Sequence, residues 1–360
     1  MSTSLSSNGR WLRRVGLGLV AGSALMAVAP SQAAVNVLET GSSLLYPLFN
    51  LWVPVYTKMH PDVHITTAST GSGTGLAQSI NGLAQIGASD AYMSDAMMKK
   101  HPSMLNIPTA ISSQMVNYNV PGLNHKYINL SGPVLADIYA GKITNWDDKR
   151  IAEMNPHVHF PNHKIITVHR SDGSGDTFIF TQYLSKSTKW WMDKYAYGTS
   201  ISWAPVQGSI GAEGNPGMVD ALKNNKYSIA YVGVSYKKQI KAAHLGEAHL
   251  KNRDGHYVLP NVRTVKAAAA SMVPHTPADQ RISLIFAPGK YSYPIINYEY
   301  AVVNSQQPNE TMAKTLKEFL TWAVSPKGGN AGHFMKEVNF VPLPASVAKL
   351  SIKQIEKIHG

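Results

Sequence analysis

Three short turns rich in serine and glycine each stand between an apolar run and the start of a helical pattern: Gly41-Ser42-Ser43, Gly71-Ser72-Gly73-Thr74-Gly75 and Arg170-Ser171-Asp172-Gly173-Ser174-Gly175-Asp176. A turn of this kind presents unpaired backbone N–H groups at the positive end of a helix dipole, and together these form a site for an anion. Ser43, Ser72 and Ser174 each add a hydroxyl. One such turn alone is weak evidence, because serine and glycine cap helices far more often than they bind ligands. Arg170, two residues from Asp172 and four from Ser174, adds a guanidinium that can face the same cavity with bidentate geometry; its plain alternative is an exposed Arg170–Asp172 ion pair. Asp90 is the informative oddity. A carboxylate at the end of an apolar strand, in a site otherwise built from donors, repels an anion unless the anion brings a proton. Hydrogen phosphate has a proton to donate, and sulfate at neutral pH has none.

The elements that must position these residues alternate. Val35 to Glu39 reads as a strand and Leu44 to Tyr56 as a helix; His64 to Thr70 is a strand, and a helix opens at residues 71–75 and runs to about Asn81. Ala84 to Ala88 is a short buried strand ending at Ser89-Asp90. Ile165 to Val168 is another strand, with a helix over Thr177 to Leu184 beyond the arginine loop. Such alternation predicts α/β lobes with largely parallel sheets. Ser113 to Val120 and Tyr298 to Asn304 read as strands crossing between lobes. The expected division is a discontinuous first lobe of residues 34–112 and 300–360, and a second lobe of residues 113–299 with hinge strands at its borders.

A chain of 360 residues exceeds the size at which one core keeps growing, which also points to two lobes. With 44% apolar and 15% charged residues it is expected to fold around a sizeable core. It has no cysteine, which excludes disulfides, thiolate metal sites, a cysteine nucleophile and a lipidated cysteine. Arg10, Arg13 and Arg14 precede the uncharged run Val15 to Ala29 and then Ser31-Gln32-Ala33, the order of a secretory signal peptide over residues 1–33. The run falls short of the ~20 apolar residues of a spanning helix. The mature chain is therefore expected in the periplasm, not as a lipoprotein. The formal charge of +12 becomes 12 − 3 = +9 once those three arginines are removed, favouring an anionic partner, and no aromatic-basic stripe of the nucleic-acid kind is present. Fourteen histidines against 21 acidic residues suggest an acidic exterior.

With these motifs in place the chain resembles the PstS family, the phosphate-binding proteins of the high-affinity phosphate ABC importer. The resemblance rests on Gly41-Ser42-Ser43-Leu44-Leu45-Tyr46-Pro47 with Trp52, Gly71-Ser72-Gly73, Gly87-Ala88-Ser89-Asp90-Ala91 and the loop from Arg170 to Gly175. It continues through residues 139–148 (YAGKITNWDD), 229–233 (IAYVG), Tyr293-Pro294-Ile295-Ile296 and Leu343-Pro344. These occur in the family's order over nearly the whole mature chain, and two stretches look most like its mycobacterial branch. The resemblance implies a two-lobe periplasmic binding protein of type II-like fold that binds inorganic phosphate and passes it to permease subunits, as a monomer without a cofactor. It implies phosphate ligands at Ser43, the Leu44 N–H, Ser72, Asp90, Arg170, Ser174 and the Gly175 N–H, with Asp172 orienting Arg170. Where many members have threonine this chain has Asp176, carried over only as a main-chain ligand because its side chain would oppose the anion.

Two other functions stand beside this one: a receptor for another oxyanion, which Asp90 disfavours if fully ionised, and a secreted phosphatase, which needs a base or metal beside one of the serines. His157, His159 and His163 lie in an irregular loop and read as solvated rather than as metal ligands. Trp146, Trp190 and Trp191 read as packing residues, and the run with Val347, Leu350, Ile352 and Ile355 as an amphipathic helix returning to the first lobe.

Overall fold

Short runs of three to seven residues, each followed by a turn and a helix, form the parallel strands of two sheets in a computed structural model that describes residues 34–360. The signal-peptide assignment lies outside the described residues. In the first sheet β1 (Val35–Gly41) pairs in parallel with β2 (Val63–Ser69) on one side and β3 (Ile86–Ser89) on the other. The long strand β4 (Met104–Asn119) is buried over all of its 16 residues and belongs to both sheets. After β5 (Tyr127–Leu130) come β6 (Ile166–Arg170), β7 (Ile210–Ala212) and β8 (Ser228–Gly233), mutually parallel members of the second sheet. β9 (Gly246–Lys251) pairs with β5, β4 and β10 (Tyr257–Val258), and β11 (Ile296–Asn304) returns to the first sheet.

Through the centre the pairing is antiparallel, because β4 runs out of one sheet into the other. Its first part, Met104 to Ser113, lies against β11, and its last part, Gln114 to Asn119, lies against β8. The expected strand Ser113 to Val120 is thus the second half of a longer one. β11 pairs only within the first sheet, so the return connection falls before Ile296. The β4–β11 register shifts at Glu299/Tyr300, opposite Pro108 and Thr109. Proline has no N–H for the ladder, and a bulge beside it is the ordinary accommodation.

Helix Tyr46–Met59 buries Leu48, Phe49, Trp52 and Tyr56, and the Trp52 indole donates to Gly329 O at 2.8 Å. This ties the start of the described chain to its C-terminal part. Helix Ala345–Ile355 packs on β4, with Ser351 Oγ donating to Pro108 O at 2.9 Å. It is the amphipathic return helix read from the sequence, although Leu350 and Ile352 stay partly exposed.

Candidate anion site

Every loop of interest leaves the carboxyl end of a parallel strand, where α/β sheets place their ligands. From the first sheet come Ser42-Ser43 after β1, Gly71-Ser72 after β2 and Asp90 after β3. From the second come Asp172 to Asp176 after β6, Gly214-Asn215 after β7 and Gly233 at the end of β8. The two sets meet, with Gly73 N donating to Gly173 O at 2.8 Å. The contact requires glycine: a Cβ on Gly73 would lie 3.0 Å from Gly173 Cα, and one on Gly175 would lie 2.5 Å from Ser72 Oγ and against the Asp90 carboxylate. Ser43, Ser72, Asp90, Arg170, Ser174 and Asp176 are all buried at this junction.

The three serine hydroxyls share one arrangement. Ser43 Oγ accepts from the Asn215 N–H (3.0 Å) and side-chain amide (2.9 Å). Ser72 Oγ accepts from Asp90 N (3.2 Å), and Ser174 Oγ, the N-cap of helix Gly175–Ser187, accepts from Thr177 N (3.2 Å). A hydroxyl whose lone pairs are occupied this way has its proton to give. Ser72 has Asp90 Oδ2 at 3.4 Å, a long bond that an anion can replace. At the first turn of the Gly175–Ser187 helix the N–H groups of Gly175 and Asp176 have no carbonyl one turn back within the helix.

Arg170 is held from both sides. Its Nε donates to Asp172 Oδ1 at 2.6 Å, Nη2 to Asp172 Oδ2, and Nη1 to Asp176 Oδ2 at 2.9 Å. Of about five guanidinium N–H donors, these bonds leave two. Burial alone would lower the Arg170 pKa, but the two carboxylates outweigh it and raise it. Burial likewise pushes Asp172 up, and the Arg170 fork brings it below its ordinary value. For Asp176 burial prevails over Arg170 and the pKa is raised. Its side chain does more than the sequence suggested: it receives Arg170, the Asn215 amide (2.6 Å) and the Gln114 amide (2.9 Å).

Asp90 receives Ser42 Oγ at Oδ1, and burial, then the nearby Asp176 charge, push its pKa up to about 7. Leu44 departs from expectation, since its N–H is turned to Ser42 Oγ at 3.1 Å. Ser42, Gln114, Asn215, Asn297 and Glu299 complete the surroundings and were not named as site residues, although Ser42 lay inside a serine turn and Gln114 and Glu299 inside the two expected crossing strands. Among the described residues no three His, Cys, Asp or Glu are grouped to hold a metal. His163 stacks on Tyr227 with ring centroids 3.5 Å apart, Trp146 and Trp191 are buried, and Trp190 lies under the Lys142 ammonium.

Two lobes of α/β structure that meet at strand ends around an oxyanion-shaped set of donors define a solute-binding protein. A family model for the PBP superfamily domain matches residues 27–327. The chain belongs to that superfamily and, within it, to the PstS phosphate-binding proteins. It is 34% identical to the phosphate-binding protein PstS of Methanocaldococcus jannaschii, over 91% of this chain and 87% of that one. Against PstS of Haemophilus influenzae it is 34% identical over 88% and 92%. A mycobacterial member, PstS3 of Mycobacterium bovis, is 27% identical over 85% of this chain and 82% of that one. Among solved structures, a phosphate-bound periplasmic phosphate-binding protein, PfluDING, superposes with TM-score 0.71 at 20% identity, over 88% of this chain and 92% of that one, which shows the shared fold.

Proposed function

We propose that this protein binds inorganic phosphate with high affinity between two lobes, in the periplasm, and hands it as a monomer to the permease subunits of an ABC-type phosphate importer. The first lobe comprises residues 34–112 together with a C-terminal part beginning near Ile296, and the second lies between them. The observation that carries the reading is that Ser43, Ser72 and Ser174, each hydroxyl accepting a backbone N–H, are buried with Arg170 at one junction of strand ends. Asp90 is the one acceptor facing them that Arg170 does not engage. It takes the proton of a phosphate O–H and meets a sulfate oxygen with nothing to bridge two negative groups. The second oxyanion reading is weaker for that reason, and so is the phosphatase reading, because Ser43 and Ser174 are held by N–H donors with no base beside them and Ser72 has only a long 3.4 Å contact to Asp90.

Equilibrium binding of labelled phosphate, with sulfate and arsenate as competitors and p-nitrophenyl phosphate as a turnover control, tests this. Phosphate should be retained, arsenate should compete, sulfate should not, and no nitrophenol should form. Equal binding of sulfate and phosphate would overturn the assignment.

A further inference from the structure

Glu299, one of the residues that surround the site, carries a fully buried carboxyl. It sits on β11 at the bulge, one residue before Tyr300, which pairs with Ser89 of β3. Along that antiparallel register the next position faces Asp90. Glu299 Oε1 receives Ser112 Oγ from β4 and the Asn297 amide at 3.0 Å, and the same amide reaches Asp90 O at 3.3 Å. Among the described residues Oε2 has no hydrogen-bond partner, and the Asp90 carboxyl is the neighbouring charge that acts on it.

Two buried carboxyls set side by side and bridged by one amide do not both ionise readily, and one proton between them relieves the repulsion. Asp90 has the features that stabilise charge, namely the Ser42 hydroxyl and the Arg170 guanidinium across the junction, opposed by Asp176. Glu299 has neither cation nor second donor at Oε2, and burial and Asp90 together hold its pKa well above the ordinary value. We propose that Glu299 is a positioning residue of the anion site, a protonated carboxyl that donates to Asp90, so that the pair carries one negative charge and Asp90 stays the acceptor that selects a protonated oxyanion. This rests on the phosphate reading above.

The sign of the effect separates it from the alternative. If Glu299 is a neutral donor, its removal makes Asp90 easier to protonate; an Asp90 O–H then donates to sulfate and discrimination falls. An ionised Glu299 would have the opposite effect when removed, because Asp90 would lose a repelling neighbour.

The experiment is competition of sulfate against labelled phosphate from pH 6 to 9 for wild type, Glu299→Leu and Glu299→Gln. Glu299→Leu should raise the sulfate-to-phosphate affinity ratio roughly tenfold near pH 7, with recovery toward alkaline pH, and the amide of Glu299→Gln should restore discrimination. An unchanged or lowered ratio in Glu299→Leu overturns the proposal. Should that variant not fold, infrared difference spectra of wild type and Glu299→Gln decide: a protonated-carboxyl C=O stretch present at pH 7 and lost in Glu299→Gln supports it, and identical spectra overturn it. If wild type fails to bind phosphate, or Asp90→Asn keeps full discrimination, the phosphate reading itself is at fault. If Asp90 governs discrimination and the Glu299 variants do not alter it, only this inference falls.

Discussion

Replacing Arg170 with alanine should destabilise the protein in a way that depends on pH. The Arg170 side chain is 1% exposed and bridges Asp176, also 1% exposed, to Asp172, which is 13% exposed. Removing one partner of a buried pair costs about 3–5 kcal/mol when the remaining charge has no escape. Asp172 keeps the Gly214 N–H at 3.2 Å and some access to water, so most of the penalty falls on Asp176. Asp176 escapes by taking a proton, which burial already favours. Its folded pKa then rises further above the unfolded value, so the folded variant binds more protons than the unfolded chain, and its stability is fullest at low pH and falls as pH rises, at about 1.36 kcal/mol per unit. Part of that slope is present in the wild type, so the loss caused by the substitution should be about 1–3 kcal/mol larger at pH 7 than at pH 5. Urea unfolding of both proteins at the two pH values, in phosphate-free buffer because a ligand would add its own stabilisation, measures this. A loss equal at both values, or larger at pH 5, would refute the reasoning that Asp176 is the charge Arg170 compensates.

Asp90→Asn should let sulfate gain on phosphate in competition calorimetry. In wild type the preference against sulfate should weaken as pH falls through about 7, where Asp90 takes up a proton. Gly175→Ala should weaken phosphate binding by about tenfold or more with little change in urea midpoint, because the added methyl meets Ser72 Oγ at 2.5 Å and the Asp90 carboxylate where the two lobes meet. Glu39, buried on β1 with Oε1 unpartnered, has its pKa pushed up to about 8 by burial, so it favours folding below its unfolded value and this contribution is lost as pH rises toward 8. Glu39→Gln should therefore be relatively more stable than wild type at pH 8 than at pH 5, by about 2 kcal/mol in chemical unfolding.

The parallel strands and the three serine turns were legible because both are local signals. A short apolar run ending in Gly/Ser before a helical pattern reports strand, turn and helix without reference to anything distant, and β1, β2, β3 and β6 lie where those runs occur. Arg170, Asp172 and Ser174 lie within five residues of one another, so their partnership could be read along the chain, and Arg170 does hold Asp172. Asp90 stood out as a charge at the end of an apolar run. Only the tertiary structure decided the rest. Met104 to Ser112 is apolar and small without a period that marks a shared strand, and only pairing with β11 on one part and β8 on the other reveals β4 as common to both sheets. Asp176 was expected to oppose an anion, and the partners that join Arg170 around it, Asn215 and Gln114, come from two distant segments. Glu299 lies more than two hundred residues from Asp90, and although it falls in the run Tyr298 to Asn304 read as a strand, nothing in that run shows which side chain it would face. Its burial follows from the register of β11 against β3, a long-range pairing that no local pattern encodes.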